Sequence, residues 1–137
     1  MISYYKNPVV WFEIPVTNIV RAGSFYENVF GYTISYKEEN AVRMGTFSMI
    51  NAPGISGALI QVDGYTPHHS GTVVYFSVLD IDNTIEKVRE NGGKLLVPKT
   101  FTNDGFIAHF EDSEGNQIGI YSSSLTRTDV EALSKTA

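Results

Sequence analysis

One unit occurs twice in this sequence, and that repetition constrains the fold more than any other feature. From Val9 to Gly31 the chain reads VVWFEIPVTNIVRAGSFYENVFG. Val10, Phe12, Ile14 and Val16 alternate with Trp11, Glu13 and Pro15, the period of two that marks a strand with one buried face. Thr17 or Asn18 can accept hydrogen bonds from the first free amides of a helix. Ala22, Phe25, Tyr26 and Val29 then fall on one helical stripe, and Gly31 can take the positive φ that ends a helix. Displaced by about sixty residues, the pattern returns. Val16 falls on Val78, Asn18 on Asp80, Ile19 on Ile81 and Gly31 on Gly93. In the second copy Val74, Phe76 and Val78 alternate with Val73, Tyr75 and Ser77. Asp80 or Asp82 caps a helix carrying Ile85 and Val88, and Gly92–Gly93 closes it. A strand face and a helix stripe can bury only against each other, so each copy is one folding unit.

Three more strands follow each helix. After Gly31, Tyr32–Glu38 alternates and is rich in Tyr, Thr and Ile. A turn at Glu38–Asn40 leads to a strand over Ala41–Ile50, with a bend expected at Gly45. Asn51–Gly57 is a loop by its Asn, Pro and Gly. Ala58–Val62 is the fourth strand, with Ala58, Ile60 and Val62 read as its buried face and Leu59, Gln61 and Asp63 as the other. The second copy continues with strands Lys94–Pro98, Phe106–Glu111 and Gln117–Ser122. A loop is expected over Lys99–Gly105 and a turn over Asp112–Asn116. The organisation expected is a first βαβββ module over residues 1–63, a linker over 64–71, a second module over 72–122 and a tail over 123–137. Within the tail, TDVEALSK suits one or two helical turns before a frayed end.

Bulk properties exclude several functions. The chain has 137 residues and no cysteine, which removes disulfides, thiolate metal sites and a cysteine nucleophile. Absence of cysteine agrees with a cytoplasmic location. The net charge of −5 has no basic cluster to oppose it, so nucleic acid is not expected as a partner. No stretch approaches the ~20 apolar residues of a membrane span. MISYYKNP lacks the basic and then apolar run of a secretion signal. No phosphate-binding glycine loop, Ser-His-Asp arrangement or nucleotide fingerprint is present.

The doubled order of elements, VTNIVRAGSFYENVFGY after the first strand, and DSEGNQIGIY near the end together resemble the vicinal oxygen chelate superfamily. That group holds glyoxalase I, bleomycin resistance proteins and extradiol dioxygenases, and the resemblance covers residues 8–122. It implies an α+β fold in which two paired βαβββ modules form a cupped mixed sheet with helices outside. It also implies a pocket on the face opposite the helices, and a homodimer. Metal-dependent members carry ligands on the first and last strand of each module. The matching positions here are Trp11, Gln61, Val73 and Gly119, which offer neither imidazole nor carboxylate. No metal and no other cofactor is therefore expected.

Alternation names the side chains that share the pocket face. Glu13 follows Trp11, Tyr75 follows Val73, and His109 lies between Ala108 and Phe110, which point out of the cup toward the helix side. Gln117 and Tyr121 flank Gly119. A histidine near a carboxylate suits proton transfer, so Glu13 and His109 are the candidate catalytic pair. Trp11, Gln61, Tyr75 and Tyr121 are the candidate substrate contacts, and Phe47 and Phe101 add possible stacking surface. His68–His69 point to opposite sides of an extended chain and read as surface residues. Three functions stay open. The first is a metal-free binder of a small organic molecule, as the bleomycin resistance proteins are. The second is a glyoxalase-type lyase or isomerase, or a dioxygenase-related enzyme, using Glu13 and His109 or an atypical metal site. The third is a non-enzymatic interaction protein that keeps the fold.

Overall fold

The computed structural model describes residues 7–123, 125 and 127–135. Expectations about residues 1–6, including most of the stretch read for a secretion signal, and about parts of the tail lie outside the described residues. The elements follow the repeat. First come β1 (Phe12–Pro15), α1 (Ile19–Phe30), β2 (Ile34–Glu39), β3 (Val42–Phe47) and β4 (Gly57–Gln61). The same order returns as β5 (Tyr75–Ser77), α2 (Ile81–Glu90), β6 (Lys94–Thr102), β7 (Gly105–Glu111) and β8 (Gln117–Ser122), and α3 (Arg127–Lys135) ends it. Two four-stranded mixed sheets result, ordered β1-β4-β3-β2 and β5-β8-β7-β6. In each, the first strand runs parallel to the last, because the helix carries the chain back across the sheet. The fold is α+β.

Both helices are capped as their sequences require. Asn18 accepts from the Arg21 amide at the start of α1, and Gly31 ends it at φ 77. Asp80 accepts from the Asn83 amide at the start of α2. Asp82 is left to pair with Lys99 at 2.8 Å. The turn between β2 and β3 rests on Asn40 and Ala41, both at positive φ (53 and 64). This two-residue form matches strand twist.

One core serves both sheets. Ile14, Leu59, Phe47 and Ile34 of the first sheet join Phe76, Ala108, Phe110, Ile118 and Ile120 of the second, with α1 and α2 packed among them. Tyr26 on α1 is the junction, since its ring lies 5.6 Å from that of Phe47 and 5.8 Å from that of Phe76. Each large side chain removed from water here contributes about 1.5–3 kcal/mol. Because the apolar faces of the two sheets share this core, their polar faces turn outward.

Three boundaries differ from the sequence reading. Gly45 does not interrupt its ladder, pairing with Tyr36 on one side and Leu59 on the other. It is buried in the middle of β3, where an added Cβ would sit 3.0 Å from Ile34 Cγ2. The loop expected over Lys99–Gly105 is mostly strand, because β6 continues through Pro98 to Thr102. Pro98 is tolerated since β6 is an edge strand with register shifts between Leu95 and Val97 and between Val97 and Thr100. The fourth strand has the opposite facing. All of Gly57–Ile60 is buried, so burial does not alternate. Register settles it: Leu59 pairs with core residue Ile14, and Ala58 pairs with Glu13. Leu59 and Gln61 thus face the core, and Ala58 and Ile60 face outward.

Candidate functional site

Three polar side chains meet on the outer face of the second sheet. The Tyr75 hydroxyl lies 2.6 Å from His109 Nε2. The Gln117 amide nitrogen lies 2.7 Å from His109 Nδ1. Register explains the meeting. Gly119 on β8 pairs with Tyr75 on one side and His109 on the other. With no side chain there, the Tyr75 ring lies across β8. An added Cβ would stand 2.5 Å from Tyr75 Cδ1. Gln117, two residues before Gly119 on the same face, reaches His109 diagonally. The rings of Tyr75 and His109 meet edge to face at 5.2 Å. Desolvation lowers the pKa of His109, so its imidazole is neutral at neutral pH. The cluster is accessible, with Tyr75 45% exposed.

The other candidates fall elsewhere. Glu13 is exposed, and its carboxylate accepts from Trp11 Nε1 at 3.4 Å. Among the described residues it meets neither Tyr75 nor His109: its hydrogen bond is to Trp11, and theirs are to each other and to Gln117. Within one chain the structure does not assemble the pair read as an acid and base. Gln61 does not face a pocket: its Oε1 accepts from the Ile19 amide at 2.8 Å, so it caps α1. The Tyr121 hydroxyl donates to the carbonyl of Asp104 and holds the β6–β7 turn. Trp11 is 38% exposed. His69 pairs with Glu111 at 2.7 Å, and His68 lends its backbone to Asn116 and Gln117.

Sequence reasoning missed one polar cluster altogether. The turn after β7 clasps the start of α1. Glu114, with no exposed side-chain surface, takes the amides of Thr17 and Asn18 at 3.0 and 2.9 Å and both sides of the Arg21 guanidinium. Burial alone would raise its pKa. The hydrogen bonds from Arg21, Asn18, Ser113 and Thr17 outweigh that and hold it at about 2. Beside it, the Tyr26 hydroxyl donates to Asp112 at 2.7 Å, and the Asn116 amide donates to the Pro15 carbonyl at 2.7 Å. DSEGN was read as a turn, and only the unpaired helix amides of VTN hinted that a carboxylate would come to them.

Comparison with known proteins decides the family. A profile of the Glyoxalase/Bleomycin resistance protein/Dioxygenase superfamily matches residues 9–120. The chain belongs to that superfamily. A glyoxylase-like domain-containing protein from Didymella fabae is 32% identical over 110 residues, covering 76% of this chain and 84% of its own. Among solved structures, a glyoxylase/bleomycin resistance protein/dioxygenase domain from Frankia sp. EAN1pec matches with a TM-score of 0.69 at 15% identity, over 88% of this chain and all of that one. TnmS3, an antibiotic-binding protein from Streptomyces sp. CB03234, matches at 0.63 and 22%, over 89% of this chain and 100% of its own. A mutant of glyoxalase I from Zea mays matches at 0.66 and 18%, and there the chain covers 91% of itself but 48% of the maize protein.

The superfamily includes metal-dependent enzymes, so the donor set matters. On the outer faces, Trp11, Val73, Gly119 and the β4 residues Ala58 and Ile60 supply no ligand atom for a hard or borderline cation. Among the described residues no three His, Cys, Asp or Glu side chains converge. Within one chain, Trp11, Val73 and Gly119 thus offer no imidazole or carboxylate for a divalent metal.

Proposed function

We propose that this superfamily member binds a small organic molecule without a metal, against the outer face of the second sheet. The observation that carries this is the Tyr75–His109–Gln117 cluster, an accessible hydrogen-bonded group on a rigid sheet, roofed over a glycine that makes room for it. A functional constellation on strands holds its geometry better than one on loops. The exposed aromatic faces of Tyr75 and Trp11 suit a planar ligand. The antibiotic-binding activity of the Streptomyces protein of the same fold supports the reading. We further propose that the active form is a homodimer, in which the Trp11 and Glu13 face of one copy lies over the Tyr75 and His109 face of the other. That assembly would bring together side chains which a single chain keeps apart.

A thermal-shift screen of planar aromatic compounds tests the proposal, because a ligand at one hundred times its Kd stabilises by about 2.7 kcal/mol. A compound should raise the Tm, keep doing so after exhaustive dialysis against a chelator, and lose its effect on His109→Ala. Binding that the chelator abolishes, or that ignores His109→Ala, would sink the reading.

A further inference from the structure

Beyond the presence of a ligand, the cluster fixes which way its protons point. The Gln117 amide nitrogen faces His109 Nδ1, so Nδ1 must offer its lone pair. A neutral imidazole has one lone pair and one N–H, so the proton sits on Nε2. Nε2 stands 2.6 Å from the Tyr75 oxygen, which must therefore accept. Among the described residues the Tyr75 hydroxyl hydrogen is then left without an acceptor, and it points into the open face. We infer that Gln117 is a positioning residue that sets the tautomer of His109, which in turn makes Tyr75 an outward hydrogen-bond donor. The ligand class this selects is a planar molecule bearing an acceptor oxygen, such as an aromatic ketone or quinone. This rests on the proposed small-molecule site, and its chemistry is more specific.

Three features of the geometry support the inference. The imidazole is neutral because burial disfavours its charged form, so the one-proton bookkeeping applies. A hydroxyl that accepts a hydrogen bond becomes a better donor, since the chain of bonds polarises cooperatively. Gly119 keeps the Tyr75 ring seated over β8, so the hydroxyl cannot swing away without losing its place. A carboxylate at position 117 would reverse the relay. It would accept from Nδ1–H, leave Nε2 unprotonated and turn the Tyr75 hydrogen inward.

The experiment has two parts. In the first, protein labelled with 15N in histidine is observed by long-range proton–nitrogen correlation at neutral pH. His109 should show the Nε2–H tautomer in the parent and lose it in Gln117→Glu. An Nδ1–H tautomer in the parent overturns the inference, whatever the protein binds. In the second, 9-fluorenone and fluorene are compared by ligand-observed NMR. They differ by one carbonyl oxygen, so one neutral hydrogen bond should favour fluorenone by about 3–10-fold. That preference should vanish in Tyr75→Phe and in Gln117→Glu, while the Tm of both variants stays near that of the parent. Equal binding of the two compounds overturns the acceptor-oxygen assignment. If neither compound binds and the Nε2–H tautomer is present, the aromatic-ketone assignment is overturned, while the thermal-shift screen decides the small-molecule site separately.

Discussion

Single residues carry the outer-face site, and the decisive one has no side chain. Gly119 is the floor beneath Tyr75. The contact an added methyl would make, 2.5 Å to Cδ1 and 2.9 Å to Cγ, is with the base of the ring, which has no freedom to withdraw. Gly119→Ala should therefore unseat Tyr75 and open His109 to water. Because desolvation is what lowers the His109 pKa, exposure should move it up toward the ordinary value of about 6.5. An NMR titration of the imidazole carbon-bound protons would show it, and an unchanged pKa would mean that Tyr75 does not shield the ring. Gln61 shows how little polarity says about facing at this scale. Its amide lies among apolar strand residues, and a position on the polar face is the natural reading. The helix amide of Ile19 satisfies it on the core side instead.

Elements were legible in the sequence where one face alone is buried. β1, β7, α1 and α2 alternate or follow a helical stripe clearly, so their type and facing follow from periodicity. β4 is covered on both faces and gives no such signal, which is why its facing came out inverted. The candidate site was legible in part. Parity placed Tyr75, His109 and Gln117 on one face, but no local rule says that Gly119 lets them touch. Parity could not say either that Glu13 would bond Trp11 rather than join them. The Glu114 clasp was not legible, because it joins residues nearly a hundred positions apart. It also makes a prediction about α1. The folded pKa of Glu114, about 2, lies below the ordinary 4.5. The clasp therefore stabilises fully above about pH 4.5, and its contribution is lost as the pH falls toward 2. Asp112 beside it has the opposite sign, since burial raises its pKa and its charge costs stability as the pH rises. Glu114→Gln keeps the shape and removes the charge. It should cost about 1.5–3 kcal/mol at pH 7. It should also flatten the acid limb of the stability curve between pH 4.5 and 2. Urea melts across that range would test both, and parallel acid limbs in parent and variant would refute the charge-based account.

At the scale of the whole molecule, the shared core dictates what one chain cannot do. Both sheets turn apolar faces to the same interior, and among the described residues Trp11 and Glu13 bond to each other and not to the Tyr75–His109–Gln117 cluster. Each group carries exposed aromatic surface, Trp11 at 38% and Tyr75 at 45%. Two-fold pairing would let each face meet the other type on a second copy, giving two equivalent sites per dimer. A stable interface of this kind buries about 1,600 Å², and sedimentation at micromolar concentration should give about twice the 15.2 kDa of the chain. Mass alone does not show that the sites are shared, but mixing does. Trp11→Ala and His109→Ala should each bind poorly as pure proteins. Refolded together in equal amounts, half of the dimers are mixed, and one of their two sites receives an intact half from each chain. About a quarter of all sites should then regain the parent affinity, by the symmetry of the assembly. Sites built within one chain would regain none, so a mixture as inert as its components would refute the sharing, whereas parent-like binding by Trp11→Ala alone would place the whole site on the second sheet.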